Sequence, residues 1–141
     1  MSPQKLAEVR AFIDSCRIGV LGTLSASGVP QTAVMGLAIS PDLEIIFDTL
    51  TTTRKYANLK AHKQCAFSVW KGEIAVQYEG IAEELRGDEL ARYQEIYFTK
   101  MPDGRERLSW PGITYFVVRP TWLRHSDYDA RPPRIEEHTF L

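Results

Sequence analysis

Six runs rich in β-branched and aromatic residues, separated by turn signals or helical stretches, leave this chain few ways to fold. They are IGVLGTL (18–24), QTAVMGLAIS (31–40), LEIIFDT (43–49), QCAFSVW (64–70), IAVQYEGIAEEL (74–85) and ITYFVVRPTWLRHSDY (113–128). SASGVP (25–30), Pro41-Asp42 and the KGE stretch at 71–73 are short turns, and strands joined so tightly must pair antiparallel. Pro120 inside the last run predicts a bend or bulge there. Between the strands, Ser2-Pro3 opens a helix whose Leu6, Val9, Phe12, Ile13 and Cys16 recur at helical spacing. YANLKAH marks a second helix, and Asp88 can cap a third with an inward stripe of Leu90, Tyr93 and Tyr97. KMPDGRERLSWPG (100–112) reads as a loop. The expected class is mainly β with α: a closed or nearly closed antiparallel β-barrel of six strands, with an N-terminal helix and short inserted helices. A chain of 141 residues makes this one domain, 1–141, in which DARPPRIEEHTFL (129–141) is either a loose arm or a tail laid over a partner subunit.

Charge and composition exclude several functions. A net charge of −1 gives no electrostatic footprint for nucleic acid. No apolar run approaches the roughly 20 residues of a membrane span, and the N-terminus lacks a secretion pattern, so a cytoplasmic location is expected. Cys16 and Cys65 stand among apolar neighbours with no CxxC or Cys/His cluster, which predicts buried, inert thiols and no metal.

The stretch FDTLTTTRKYANLK (47–60) poses the sharpest question. A threonine there caps the second helix, but Arg54 and Lys55 follow in its first turn, where the helix dipole favours anions. Two readings fit: a plain cap with solvent-facing cations, or a phosphate site in which hydroxyl, guanidinium, ammonium and free N–H groups converge.

The order GTLSASGVPQTAVM, IIFDTLTTTRKYANLKAH, CAFSVW and VQYEGIAEEL closely resembles the pyridoxamine 5'-phosphate oxidase-like flavoproteins over about residues 5 to 128, in particular their short, general-stress-protein-like members. That resemblance implies a six-stranded split barrel forming a homodimer with FMN at the subunit interface. It places Thr53, Arg54 and Lys55 on the phosphate and Thr49 on the ribityl chain or phosphate. Gln31, Thr32, Ala33, Val34 and Met35 would line the flavin ring, and Trp122 and Arg124 would reach it from the second subunit. Trp110, His125 and Tyr128 are further candidates, whereas His62 reads as a helix-end residue and His138 as a solvated tail residue. The longer enzymes of the family carry an Arg and a Lys on the strand matching QTAVMGLAI, and none stands here. A deazaflavin coenzyme or haem is therefore an alternative ligand. No nucleophile, carboxylate pair or metal set appears, so catalytic residues stay unassigned, as in enzymes whose cofactor carries the chemistry. The expected function is an FMN-dependent oxidoreductase acting on a small molecule. The alternative is a non-catalytic flavin, deazaflavin or haem binder with a stress-related role. Arg124 and His125 are adjacent on a strand and face opposite sides, so an authentic oxidase of vitamin B6 phosphates is not expected.

Overall fold

The first strand sets the geometry. In the computed structural model, which describes residues 1–141, β1 (Ile18–Leu24) alternates cleanly, with Gly19, Leu21 and Thr23 buried. It pairs in full register with β2 (Pro30–Gly36), from Ile18↔Gly36 to Leu24↔Pro30, around a turn where Gly28 takes φ +84°. Beyond the two-residue β3 (Ala38–Ile39) and β4 (Ile45–Leu50), the chain enters α2 (Arg54–Ala61) and returns through β5 (Gln64–Lys71), β6 (Ile74–Glu84) and β7 (Ile113–Asp127). All pairings are antiparallel, in the order β2-β1-β5-β6-β7-β4-β3. No helix is long and apolar enough to cross a membrane.

The run at 31–40 was expected to be one strand and is two. Leu37 is fully buried, and its N–H donates to the Arg17 carbonyl, so the ladder to β1 ends there and β3 starts a new one with β4. β2 and β3 therefore lie at opposite ends of the sheet with a single residue between them, and the curled sheet is bridged across its ends by its own backbone. Pro120 does mark a bulge: β6 and β7 slip register between Glu79↔Trp122 and Gly80↔Pro120. A Cβ on Gly80 would stand 2.6 Å from the Arg119 carbonyl, so only glycine fits opposite the kink.

Strand number is eight rather than six. The expected tail or arm contains β8 (Arg134–Thr139), paired with β7 from Trp122↔Thr139 to Asp127↔Arg134. β4 covers the same side of β7 only from Ile113 to Val118, and β8 takes over where it stops. The expected loop at 100–112 holds a 3₁₀ segment, Pro102–Ser109. α3 (Asp88–Lys100) starts one residue differently from the expected cap: Gly87 is the N-cap at φ +62°, and Asp88 and Glu89 face the helix dipole from the first turn.

Two cores share β4 and β7. Ile45 and Phe47 point into the barrel, where Phe47 stacks on Phe116 at 5.5 Å and meets Phe67 edge-on at 6.0 Å. Ile46 points the other way, joining Tyr115 and Val117 beneath Tyr93, Tyr97 and Phe98 of α3. A strand buried on both faces reads as a continuous apolar run, which is why IIF does not alternate. α1 (Pro3–Ser15), capped by Ser2, contributes Val9 and Ile13 to the barrel core.

Candidate functional site

β4 runs out at Leu50, and the threonine turn carries the chain into α2. Thr53 is the N-cap: its oxygen accepts from the Tyr56 N–H at 3.4 Å, while its hydroxyl donates to the Leu50 carbonyl at 2.9 Å. Its proton being committed there, Thr49 donates to Thr53 across 2.8 Å. The hydroxyl of Thr49 thus braces the turn, and its side chain is buried.

Arg54 is held rather than loose. Its Nε donates to Gln31 Oε1 at 3.1 Å, and Asn58 Nδ2 donates to the same oxygen at 2.8 Å and to Thr23 Oγ1 at 2.9 Å. Asn58 is buried on α2, so β1, β2 and α2 are tied together under the guanidinium. The result is a cleft of about 480 Å³ with Gln31, Thr32 and Ala33 on one wall and Thr53, Arg54 and Lys55 on the other. Its ionisable lining is two cations and no carboxylate, at a helix N-terminus whose first amides lack intrahelical acceptors. That donor set is the chemistry a phosphate dianion needs.

Not every candidate joins this cleft. Val34 is 67% exposed on the outer face of the sheet, and Met35 is buried in the barrel core. Trp122 and Arg124 stand on β7, with β1, β5 and β6 between them and β2. Arg124 Nη2 donates to Glu137 of β8 at 3.0 Å, and its guanidinium lies 5.6 Å from the centre of the Trp122 ring. Arg124 and His125 do face opposite sides: their cross-strand partners are the exposed Gln77 and the fully buried Val76. His125 packs edge-on against Phe12, and burial pulls its pKa below the ordinary imidazole value. His62 ends α2 as its C-cap. His138 lies in β8 with its ring 4.7 Å from that of Phe140, so it is a strand residue and not a solvated tail. Trp110 and Tyr128 are exposed. Cys16 and Cys65 are both buried, and burial pushes the Cys65 thiol up to about 12.

The anchoring of α2 depends on a residue that sequence reasoning missed. Glu84 Oε1 accepts from Lys60 Nζ at 2.8 Å, Arg86 Nη2 at 2.9 Å and Tyr56 Oη at 3.2 Å, while Oε2 accepts from Thr114 Oγ1 at 2.5 Å. Partial burial works against the charge on Glu84, but the hydrogen bonds from Lys60 and Thr114 outweigh it and hold the carboxyl below its ordinary value. A depressed carboxyl stabilises the fold above its unfolded pKa of about 4.3, and that contribution is lost as pH falls through the lower folded value. Thermal melts of Glu84→Gln are therefore expected to fall below wild type at pH 6–7 by an equivalent of about 1 kcal/mol. The contribution is modest because Lys60 and Arg86 are half or more exposed. The gap closes below about pH 4; a gap independent of pH would show that the charge of Glu84 is not what matters.

The family model described as pyridoxamine 5'-phosphate oxidase matches residues 6–127. The chain belongs to this family. No curated protein matches the sequence. Among solved structures, a heme binding protein from Mycobacterium smegmatis superposes with a TM-score of 0.84 at 19% identity, over 99% of this chain and 59% of that one. A pyridoxamine 5'-phosphate oxidase-related, FMN binding protein from Nostoc punctiforme gives a TM-score of 0.70 at 13% identity, over 100% of this chain and 98% of that one. An F420 reductase gives 0.64 at 23% identity, over 81% and 94%. The chain thus spans about three fifths of the first of these relatives and nearly the whole of the second. At such identities the likeness shows the fold, the split barrel of the pyridoxamine 5'-phosphate oxidase-like family, and that fold hosts several ligand chemistries.

Proposed function

We propose that this protein binds FMN and acts as a cytoplasmic, FMN-dependent oxidoreductase on a small molecule. The observation that carries the proposal is the cleft at the start of α2, where Arg54 and Lys55 meet the Thr53 cap and Gln31 and Asn58 brace the guanidinium. Thr53, Arg54 and Lys55 would hold the phosphate, and the strand from Gln31 to Ala33 would present backbone N–H and C=O groups to the ring's polar edge. The bound flavin would supply hydride transfer; the protein binds, orients and shields it. Haem is the less favoured ligand, because His62, His125 and His138 all stand outside the cleft lining. Vitamin B6 phosphates are not the proposed substrates, since Arg124 and His125 cannot grip one phosphate together.

A homodimer belongs to the same proposal. The outer face of the sheet exposes Val34, Ile18, Leu24, Ile81 and Trp70, on four neighbouring strands beside the cleft. An apolar face of that kind is most simply covered by a second copy around a two-fold axis. Trp122 and Arg124 lie on the same outward face and would approach the partner's flavin. The purified protein is expected to quench added FMN fluorescence at micromolar concentrations, one flavin per chain, with a dimeric mass by light scattering. Unquenched FMN alongside tight deazaflavin or haem binding would overturn the cofactor; a flavin-loaded monomer would overturn the interfacial site.

A further inference from the structure

The hydrogen bonds beneath Arg54 have a direction, and the arginine sets it. A guanidinium can only donate, so the atom that meets Arg54 Nε at 3.1 Å is the Gln31 side-chain oxygen and not its nitrogen. Asn58 reaches the same oxygen at 2.8 Å and must also donate, through Nδ2. Its second amide proton goes to Thr23 Oγ1 at 2.9 Å. One permanent charge thus orients three neutral side chains in turn, on β2, α2 and β1.

That orientation decides which groups remain uncommitted. Gln31 spends its oxygen on two donors, and both of its Nε2 protons are without an acceptor in the chain. Thr23 accepts from Asn58, which leaves its own hydroxyl proton over, and Asn58 keeps one acceptor, Oδ1. All three residues line the cation-lined cleft. Thr23 and Gln31 are direct cross-strand partners, so their side chains share the face of the sheet that α2 covers. Leu24 and Val34, on the apolar face assigned to a second copy, point the other way. Thr23 is only 6% exposed, and in a setting less polar than bulk water a donor that meets an acceptor is strengthened, while one left alone is costly.

We infer that Gln31 recognises the uncharged part of the ligand: its Nε2 group, turned away from α2 by Arg54 and Asn58, donates to a carbonyl oxygen or ring nitrogen of a heteroaromatic ligand. Asn58 is then the positioning residue that holds the amide in that sense. The inference rests on the flavin proposal, which assigns the phosphate to Thr53, Arg54 and Lys55 and leaves the β1–β2 wall to the ring. The dioxopyrimidine end of a flavin presents carbonyl oxygens and a single N–H, the complement of a wall with several donors and one acceptor. Donors there also favour the negative charge that this end gains on reduction.

Gln31→Glu is the discriminating variant. It keeps an oxygen for Arg54 and Asn58 but sets a carboxylate oxygen where the two N–H groups stand. Were Gln31 only a brace for Arg54, riboflavin, which carries no phosphate, would bind this variant as it binds wild type. The expected result is instead a loss of riboflavin affinity of at least tenfold, read by fluorescence titration of the full chain. Reduced FMN is expected to lose about tenfold more affinity than oxidised FMN, which lowers the midpoint potential of the bound two-electron couple by about 30 mV. Gln31→Met, which deletes the donor without adding charge, is expected to weaken riboflavin at least fivefold. Riboflavin affinity retained in either folded variant, or an unshifted potential in Gln31→Glu, overturns the inference and leaves the cofactor proposal standing. A wild type that takes up neither FMN nor riboflavin defeats that proposal, and the inference with it.

Discussion

Replacing Arg54 and Lys55 together by alanine is expected to weaken FMN binding by ~10²–10⁴-fold while leaving riboflavin binding nearly unchanged. Only FMN carries the anion. Each charge-assisted contact to it contributes about 1.5–3 kcal/mol, and every 1.4 kcal/mol is a factor of ten. The fold should tolerate the change, because the α2 cap is made by Thr53 and its neighbours and not by the two cationic side chains. Gln31 Oε1 loses Arg54 but keeps the Asn58 donor, so no buried acceptor is stranded. Fluorescence titrations of both ligands, with circular dichroism as a check on folding, decide the matter. Equal losses for FMN and riboflavin would make Arg54 and Lys55 structural and return the turn to a plain helix cap.

Phe47→Ala is expected to cost about 3–5 kcal/mol of stability, lowering Tm by on the order of 10–20 °C. Phe47 is fully buried between Phe67 and Phe116, with Ile45 beside it on the strand that delivers Thr49 to the turn. Truncation there leaves a void walled by two aromatic rings and a sheet, which collapses poorly. Because β4 leads directly into the cleft, the variant should also bind FMN less tightly at temperatures approaching its lowered Tm. A loss under about 1 kcal/mol in a denaturant titration would mean that Phe67 and Phe116 close the gap, and that the barrel interior is less rigid than its packing indicates.

Local signals were legible in the sequence and long-range ones were not. The Thr53-Arg54-Lys55 turn could be found because its cap, cations and free amides all come from one short segment. The brace from Gln31 to Arg54 could not, since nothing in either segment's pattern says that β2 will lie beside the start of α2. Asn58 looked like one more polar helix residue, yet both its amide protons are committed to other elements. β8 escaped notice for a different reason. Arg134, Glu136 and Glu137 show no apolar alternation because the strand gains its stability from backbone pairing with β7 and leaves its side chains largely exposed. The split of the 31–40 run turns on one amide, that of Leu37, choosing the Arg17 carbonyl, and periodicity carries no trace of such a choice. The resemblance implies roles for Trp122 and Arg124 that need a second chain, and within one chain those residues stay apart from the cleft.

The backbone seam at Leu37 bears on how the molecule comes apart. An open sheet can fray from either edge, shedding one strand at a time with little penalty to the rest. Here the two terminal strands of the sheet are one continuous piece of chain, so β2 cannot peel from β1 without dragging β3 off β4 and pulling Leu37 out of the core. Partial loss at one end is thereby coupled to loss at the other. Half-open forms are disfavoured, and urea should melt the barrel in one all-or-none transition, with the cleft walls on β1, β2 and α2 vanishing together.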